Sequence, residues 1–595
     1  SSDLSKTMSE LLRIASALRR ASDDDLKAVI SQRMVNSSGL RDFFDLAESL
    51  SQPKSVASTV AGLPKQQIAA LIDILEERKP DELAADALCR LMLIDRNSDG
   101  AYALFESTAL CLQNLEPAAE TDEAFAESLT PSQDEVDRDS GIATFETLQA
   151  LTELVFDVEQ RYIREVGKKN VGLPDIKRLA QHVRQTNEFA REIYELANHA
   201  DLIGLANGRW QLGPQALAWL EWQPENRHQH LMDVWLGLLG QSSASELLTS
   251  IGSDKTVGPV SLTRQLKLNY PYADSAVSSR IARVVSFSER IGLSHNGWLS
   301  QWAIDALGAK TARAAQSASA FLPTPQRKLI CQADLSLIAP GPLPTDLEIA
   351  VRRFADTEQI GMASTYRMSA LSISHGLETG LTEEQIRAWL QELTDKPLPQ
   401  PVDYLIREAA QRFGRLTVGA GELETKSLIK SLDSILLAQI LNETKLKPFA
   451  MYAMPDGSIG CRFEPEMVYF GLREAGFSAV RVDSNGSVLS PRTPIGTSER
   501  IETVSTVDAD IQRLREQEEK LGTEPDGDDL ARSIQLAIKN KSIIVIGVTT
   551  NTGAELEFTL EPIGFANGRL RAKDKKADIE RTLPLASITR VSLGE

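Results

Sequence analysis

The sequence has 595 residues, a formal net charge of −19, 42% hydrophobic residues and 25% charged residues. This length is too great for one hydrophobic core and predicts roughly four domains. No apolar run approaches the about 18 residues of a membrane-spanning helix. The start SSDLSKTMSE lacks the basic region and apolar stretch of a secretory signal. We therefore expect a cytoplasmic protein with several globular domains.

The cysteines and histidines indicate neither a disulfide scaffold nor a metal centre. The four cysteines are far apart and form no CxxC pair, which disfavours disulfides and a zinc ribbon. His228 and His230 form the triplet HQH, but no further ligand stands at metal spacing. We expect a reducing environment and no bound metal. The cysteines are Cys89, Cys111, Cys331 and Cys461.

The acidity of the chain is concentrated in two stretches. Residues 114–140 contain nine acidic residues and one arginine, and residues 505–529 contain nine acidic and three basic residues. Their balances of −8 and −6 leave about −5 of the total charge for the rest of the chain. The first stretch is predicted to be an acidic loop, and the second an acidic linker with a short charged helix near 508–521. The remaining domains are near neutral, which neither requires nor excludes binding to DNA.

Residues 1–113 are predicted to form a helical, winged-helix-like domain. Apolar residues recur at helical spacing from Leu4 to Leu18, and Ser22 with Asp25 resembles a capping box. Pro64 stands where the next helix begins. The short YALFEST element suggests a small hairpin that closes these helices.

Residues 141–325 are predicted to contain a winged helix with a helical extension. A long amphipathic helix over 143–167 precedes a helix that begins after Pro174 and a third that Thr186 caps. Two short strands follow around Asn207-Gly208, a strong hairpin turn. This order of three helices and a hairpin is typical of a winged helix. The tryptophans nearby are interpreted as core residues.

The third helix of this module is poorly suited to reading DNA. It carries Glu188, Glu192 and Glu195 against a single arginine, Arg191, and carboxylates near phosphates reduce affinity. We therefore expect the module to dock protein or to be structural. Five nearby cations are interpreted as a solvated face, with contact to a phosphate backbone as the alternative. They are Lys168, Lys169, Lys177, Arg178 and Arg184.

Residues 326–418 are predicted to form a compact α+β domain. Apolar residues alternate over KLICQADLSLIA at 328–339, which indicates one half-buried strand. An amphipathic helix, a strand through Tyr366 and a helix capped by Ser369 follow. Thr382 with Gln385 forms a second capping box, and PLPQP precedes a further helix and the strand RLTV.

Three stretches of this domain resemble a known family. QADLSLIAPGPL, STYRMSALSISHGLETGLTEEQIRAWL and PLPQPVDYLIREAAQRFGRLTV are similar, in this order, to the N-terminal domain of XPB/Ssl-type helicases. The same unit occurs in the TFIIH subunit that clamps XPB and in actinobacterial helicase-associated proteins. The resemblance implies an XPB-N/clamp-like fold and an XPB-like helicase as partner. Its most specific parts are Tyr366-Arg367, Gly380-Leu381-Thr382 and the PLPxPV connector.

Residues 419–504 are predicted to be a small α+β extension, and residues 530–595 a β-barrel of the Sm/SH3 type. Five short strands and ERTLPLASITRV resemble the WYL domain of bacterial regulators, but GRLRA at 568–572 replaces Trp-Tyr-Leu. A basic face of this barrel is a candidate contact for single strands or phosphates, with only Phe558 and Phe565 for stacking. The candidate nucleic-acid-binding residues are Arg569, Arg571, Lys573, Lys575, Lys576, Arg581 and Arg590.

No nucleotide-binding loop GxxxxGK[ST] occurs in the sequence. GAGELETKS at 419–427 has Thr425 in place of the second glycine, and GVTTNTGAE at 547–555 lacks the lysine. We therefore predict no enzyme activity and no cofactor.

The predicted architecture is multidomain α+β: winged-helix modules in a helical N-terminal region, the XPB-N/clamp-like domain and the C-terminal barrel. The resemblance implies a non-enzymatic adaptor of an XPB-like DNA helicase or repair complex, with contact to DNA left open. Its predicted docking surface is the edge of the strand 361–366 with Tyr366 and Arg367. The alternatives are a transcriptional regulator of the winged-helix/WYL type and a purely structural scaffold.

Overall fold

A computed structural model describes residues 2–593, with gaps at 97–99, 116–130, 254–259, 395, 423–424, 490–506, 518–529, 532–533, 535–536, 539–542, 550–554, 567, 575–576 and 578. The chain divides into two compact units. The first contains residues 1–126, 266–281 and 500–595, and the second contains residues 127–265 and 282–499. Within the described ranges, every helix is too short or too polar to cross a membrane.

The N-terminal part of the first unit is helical, with one small hairpin. Side chains predicted or suited to cap helices do so: Ser22 accepts from the Asp25 amide, and Asp42 and Asp81 cap two later helices. The elements are α1 (Ser2–Arg20), α2 (Asp23–Gln32), α3 (Phe43–Ser51), α4 (Pro53–Ala61), α5 (Lys65–Leu75), α6 (Glu82–Arg90), β1 (Ile94–Arg96), β2 (Tyr102–Leu104) and α7 (Glu106–Gln113).

A helix over residues 507–517 belongs to the core of the first unit. Ile511 and Leu514 are buried in one cluster with residues of α1, α2 and α3. Ser37 Oγ donates to Asp510 at 2.6 Å, and Arg515 Nη1 donates to the Arg19 carbonyl at 2.7 Å. This part of the predicted acidic linker 505–529 therefore packs on the N-terminal helices. Residues 518–529 and residues 116–130 of the predicted acidic loop 114–140 lie outside the described residues. Residues 133–140 of that predicted loop are helical instead, because Ser132 caps a helix that begins at Gln133.

The C-terminal part of the first unit is an antiparallel sheet of five strands. Its order is β21-β20-β19-β18-β22, and a core of aliphatic residues such as Ile544 and Leu560 lies on one face. The predicted strands are confirmed in number and position. They are β18 (Ile544–Thr549), β19 (Glu555–Ala566), β20 (Arg569–Asp574), β21 (Ile579–Pro584) and β22 (Ile588–Leu593).

The second unit begins with the long, largely buried helix α8, around which a small four-stranded sheet and two helices are arranged. The sheet order is β4-β3-β6-β5, and Asn207 and Gly208 adopt positive φ in the predicted hairpin turn. Thr186 caps α10 as expected. The elements are α8 (Gln133–Gln160), β3 (Ile163–Val166), β4 (Asn170–Val171), α9 (Leu173–His182), α10 (Asn187–His199), β5 (Ile203–Ala206) and β6 (Arg209–Leu212).

A helical region follows this sheet along the chain, and its residues 266–281 belong to the first unit. Of the four tryptophans predicted as core residues, Trp210, Trp219 and Trp235 are buried and Trp222 is half-buried; Trp302 is buried as well. The elements are α11 (Ala216–Glu221), α12 (Pro224–Leu239), α13 (Gln241–Ser253), α14 (Leu262–Asn269), α15 (Ser275–Arg290), β7 (Ser294–His295), β8 (Trp298–Leu299), α16 (Gln301–Leu307) and α17 (Thr311–Ser319).

The next part of the unit contains a four-stranded antiparallel sheet of order β11-β12-β10-β9. The single strand predicted over 328–339 is a hairpin, because the chain turns at Leu335 with φ +73°. Ser369 caps its helix as expected, in a capping box with Ser372, and Thr382 forms the expected capping box with Gln385. The elements are β9 (Ile330–Cys331), β10 (Ser336–Ala339), α18 (Thr345–Phe354), β11 (Asp356–Gln359), β12 (Ser364–Arg367), α19 (Ala370–Glu378), α20 (Glu383–Leu393) and α21 (Gln400–Arg412).

The strand predicted at RLTV pairs in a second sheet rather than in this one. That sheet has the order β15-β16-β14-β13-β17, with β17 parallel to β13. Its elements are β13 (Leu416–Ala420), β14 (Ser427–Ser431), α22 (Ser434–Asn442), β15 (Tyr452–Ala453), β16 (Ile459–Cys461), α23 (Pro465–Glu474) and β17 (Val480–Arg481). The architecture is multidomain α+β, as predicted.

Candidate interaction surfaces

The predicted docking strand has no free edge. β12 lies between β11 and β10 and pairs with both. The Tyr366 side chain is 2% exposed, and its burial raises the pKa of its hydroxyl to about 12. Tyr366 is therefore a core residue, and the prediction that it docks a partner is wrong. It was misjudged because one strand alone does not show which neighbours pair with it.

Arg367 points away from that core and is solvent-accessible. Its guanidinium pairs with Glu358 and donates to the Asp334 carbonyl at 2.9 Å. These contacts connect β11 to the β9–β10 turn at the surface of the sheet. Its role in docking stays a prediction.

The edges of the sheet differ in how they are covered. Beyond β11, the Ile360 amide donates to the His182 carbonyl at the end of α9 at 2.8 Å. The other edge is β9, where the Ile330 side chain is 44% exposed. An edge strand presents backbone groups that can pair with another chain. Of the two edge strands, β9 is thus the one with an exposed apolar side chain, while the Leu329 amide just before it donates to the Leu393 carbonyl at 2.9 Å.

A buried ionic cluster joins this sheet region to α8. Arg352 of α18 is fully buried and donates to Glu153 of α8 at 2.6 Å and to Glu348 at 2.8 Å. His182 Nδ1 lies 2.7 Å from the same Glu153 carboxylate. Burial opposes charge on His182, but the hydrogen bond and the charge of Glu153 outweigh it and raise the pKa of the imidazole.

Sequence reasoning missed this cluster. Glu348 and Arg352 stand four residues apart on a helix, and such a pair ordinarily indicates a solvent-exposed ion pair. The distant partner Glu153 could not be found from local spacing.

Buried polar contacts also connect the second sheet to the rest of the unit. Tyr469 of α23 donates to Glu378 at 2.6 Å, and Arg473 donates to the same carboxylate at 3.0 Å. The Arg209 guanidinium of β6 lies over the rings of Tyr162 and Phe470, 5.2 and 5.3 Å from their centroids. Residues 329–482 are therefore joined to the preceding module by buried charges and aromatic contacts.

The basic residues predicted on the C-terminal sheet do not form one surface. Arg569, Arg571 and Lys573 share the exposed face of β20. Arg571 pairs with Glu580 at 2.6 Å, while Arg581 lies on the other face with Asp574 at 2.7 Å. Lys575 and Lys576 lie outside the described residues, as does the side chain of Arg590.

The carboxylates of α10 are bound within the unit. Glu192 accepts from Ser286 Oγ at 2.8 Å and pairs with Arg290, and Glu195 pairs with Arg283 at 2.8 Å. All three partners belong to α15, which therefore lies along this side of the third helix. Glu188 stays exposed.

The two histidines of the HQH triplet point to different carbonyl groups. Nε2 of His228 lies 2.7 Å from the Ile291 oxygen, and Nε2 of His230 lies 2.8 Å from the Ala200 oxygen. Burial lowers the pKa of His228 to about 4. Both side chains are used to connect helices.

Comparison with protein families gives one match. Residues 329–454, from just before β9 to just past β15, match the family described as "Helicase conserved C-terminal domain". No curated protein matches the chain. The match supports the helicase-related part of the resemblance and covers about a fifth of the sequence. Residues 329–454 are thus similar to a conserved helicase domain.

Proposed function

We propose that this chain is a non-enzymatic accessory protein that binds a DNA helicase of the XPB type through residues 329–454. The family match carries the proposal, because it places a helicase-associated domain in a chain whose sequence lacks a nucleotide-binding loop. A protein of this kind positions or regulates the motor of another chain.

The structure supports a docking role by the way it holds this domain. Arg352, Glu153 and Glu348 are buried and fix the four-stranded sheet against α8. A surface held in this way loses little conformational entropy when a partner binds. β9 is our proposed docking edge, and Ile330 its apolar contact.

Co-purification tests this proposal. The full chain, co-expressed with an XPB-type helicase, should form a stable complex, and Ile330→Asp should weaken it at least about tenfold because a carboxylate would be desolvated in the interface. Ile579→Asp is the matched control, since Ile579 is 48% exposed on the C-terminal sheet. The absence of a complex, with no change in helicase ATPase activity, would contradict the proposal.

A transcriptional regulator is the second candidate. The order of α8, β3, α9, α10, β5 and β6 is that of a winged helix, and the C-terminal sheet is compatible with a WYL-like domain. The pairing of Glu192 and Glu195 with α15 argues against groove reading by α10. This candidate requires sequence-selective binding, which selection from a random duplex library would reveal as an enriched motif.

A further inference from the structure

One stretch of this acidic protein is basic. Residues 161–200 contain eight lysines and arginines against five carboxylates, in a chain whose net charge is −19. The stretch covers the β3–β4 hairpin, α9 and α10. Its charge distribution therefore differs in sign from that of the whole molecule.

Internal pairs neutralise most of these carboxylates. Asp175 accepts from Arg178 at 2.8 Å, and Glu192 and Glu195 are bound by α15. Glu165 accepts from the Lys169 backbone amide at 2.8 Å, so it closes the hairpin turn. Only Glu188 remains as an exposed carboxylate of the stretch without such a contact, within the part of the chain that the structure describes.

Six cations of the stretch have no ion pair within the described residues, Arg164 on β3 and Arg191 on α10 among them. We call the other four, which lie on the turn before α9, on α9 and just past its end, the cationic strip: Lys168, Lys169, Lys177 and Arg184. All four are exposed, and none of their side chains forms an ion pair with another described residue. The positive charge of the strip is thus directed to solvent.

The fold aligns the strip along α9. Lys177 and Gln181 stand four residues apart on the exposed side of α9, and Arg184 follows two residues past the end of the helix with φ +54°. The start of α9 packs on β3, since a Cβ at Gly172 would lie 3.6 Å from Val166 Cγ2. The turn with Lys168 and Lys169 therefore lies at the beginning of α9, and Arg184 lies at its end.

We propose that the cationic strip binds the sugar-phosphate backbone of duplex DNA without reading its sequence. α9 is about 15 Å long, a length of duplex that carries about nine phosphate charges. Lysines and arginines on such a span, with Gln181 as a neutral donor, suit repeated phosphates better than a single acidic side chain. The proposal rests on the proposed function, because it supplies the DNA contact of a helicase accessory protein.

The cationic strip is a better candidate for binding DNA than the C-terminal sheet. There Arg571 and Arg581 are bound by Glu580 and Asp574, and they lie on opposite faces. A cation that already has a carboxylate partner must give it up to bind a phosphate. Lys177 and Arg184 need no such exchange.

Fluorescence anisotropy with a labelled duplex of about 20 base pairs tests the proposal on the full chain. Binding should weaken with salt, with a logarithmic slope of about −3 to −4 if each cation contacts one phosphate. Lys177→Glu/Arg184→Glu and Lys168→Glu/Lys169→Glu should each weaken binding at least about tenfold. Two duplexes of unrelated sequence should bind equally within about twofold.

The control exchanges the same charges on the C-terminal sheet. Arg569→Glu/Arg571→Glu should leave the affinity almost unchanged, and circular dichroism should show that all variants are folded. If these control changes weaken binding and the strip changes do not, the proposal is wrong. If the strip changes abolish capture of an acidic protein partner but the duplex does not bind, it is also wrong. The helicase co-purification is independent of this result, so the two proposals can fail separately.

Discussion

Arg352 is a buried charge on which the stability of the second unit depends. Its guanidinium is removed from water and is compensated by Glu153 and Glu348. Removal of one partner from a buried pair leaves the other charges uncompensated, and this costs more than the pair contributes when intact. The residue therefore has a structural role even though its sequence neighbours suggest a surface helix.

Substitution Arg352→Ala should lower the free energy of unfolding of the second unit by about 3–5 kcal/mol. Urea denaturation followed by tryptophan fluorescence measures this change, since Trp219 and Trp235 are buried in the same unit. Arg327→Ala is the control, because Arg327 pairs with Asp346 and Glu392 at the surface. Equal effects of the two substitutions would contradict a buried ionic connection.

His228 should give the second unit an acid-sensitive stability. Burial lowers its pKa from 6.5 to about 4, so between these pH values the unfolded chain binds a proton that the folded chain does not. This contribution to stability is complete above pH 6.5 and falls by about 3 kcal/mol as the pH decreases to 4. The contribution of His182 to stability changes with pH in the opposite direction. Its pKa is raised in the folded state, so the stabilisation from its pair with Glu153 is lost as the pH rises through that pKa.

Denaturation curves at several pH values test this prediction. His228→Gln should reduce the slope of unfolding free energy against pH between 6.5 and 4, while His182→Gln should not reduce it in that range. The same slope in wild type and His228→Gln would show that the imidazole is not held neutral in the folded state.

At the scale of elements, local sequence signals were reliable. The caps at Ser22, Thr186 and Thr382 and the turn at Asn207-Gly208 form as predicted, because each depends on residues within four positions. The strand over 328–339 was predicted wrongly for the opposite reason. Its alternation is real, but Leu335 turns with positive φ, which an aliphatic residue rarely adopts.

The 507–517 helix shows how composition alone misleads. Its charged residues suggested a solvated linker, yet Asp510 and Arg515 are bound to the N-terminal helices. Leu514→Ala should therefore destabilise the first unit by about 2–5 kcal/mol, because it leaves a cavity among α1, α2 and α3. Hydrogen exchange of α1 and α3 measures the effect.

Leu83→Ala provides the comparison for this substitution. Leu83 belongs to the same unit but is 82% exposed, so its truncation should leave exchange of α1 and α3 unchanged. Unaltered exchange in Leu514→Ala would mean that the 507–517 helix does not support the N-terminal core.

At the scale of the whole molecule, the sequence predicted the fold class and the helicase-related domain but not the grouping of its parts. Strand order and the pairing of Arg352 with Glu153 depend on residues far apart in the chain, and periodicity carries no information about them. For the same reason the candidate surfaces moved: from β12 to β9 for the helicase, and from the C-terminal sheet to α9 for DNA. The cations on α9 are a candidate DNA surface because the carboxylates around them are bound within the unit, and the sequence does not show those pairs.

The core that α1, α2 and α3 share with the 507–517 helix can be completed only after that helix has been synthesised. Ser37 and Asp510 are bonded across 473 positions. At a translation rate of about 5–20 residues per second, the ribosome needs roughly 25–100 s to make the chain between them. Throughout that interval Phe43 and Leu18 lack the side chains of Ile511 and Leu514. The nascent N-terminal helices therefore present an unfinished apolar surface until residues 511–514 have been synthesised.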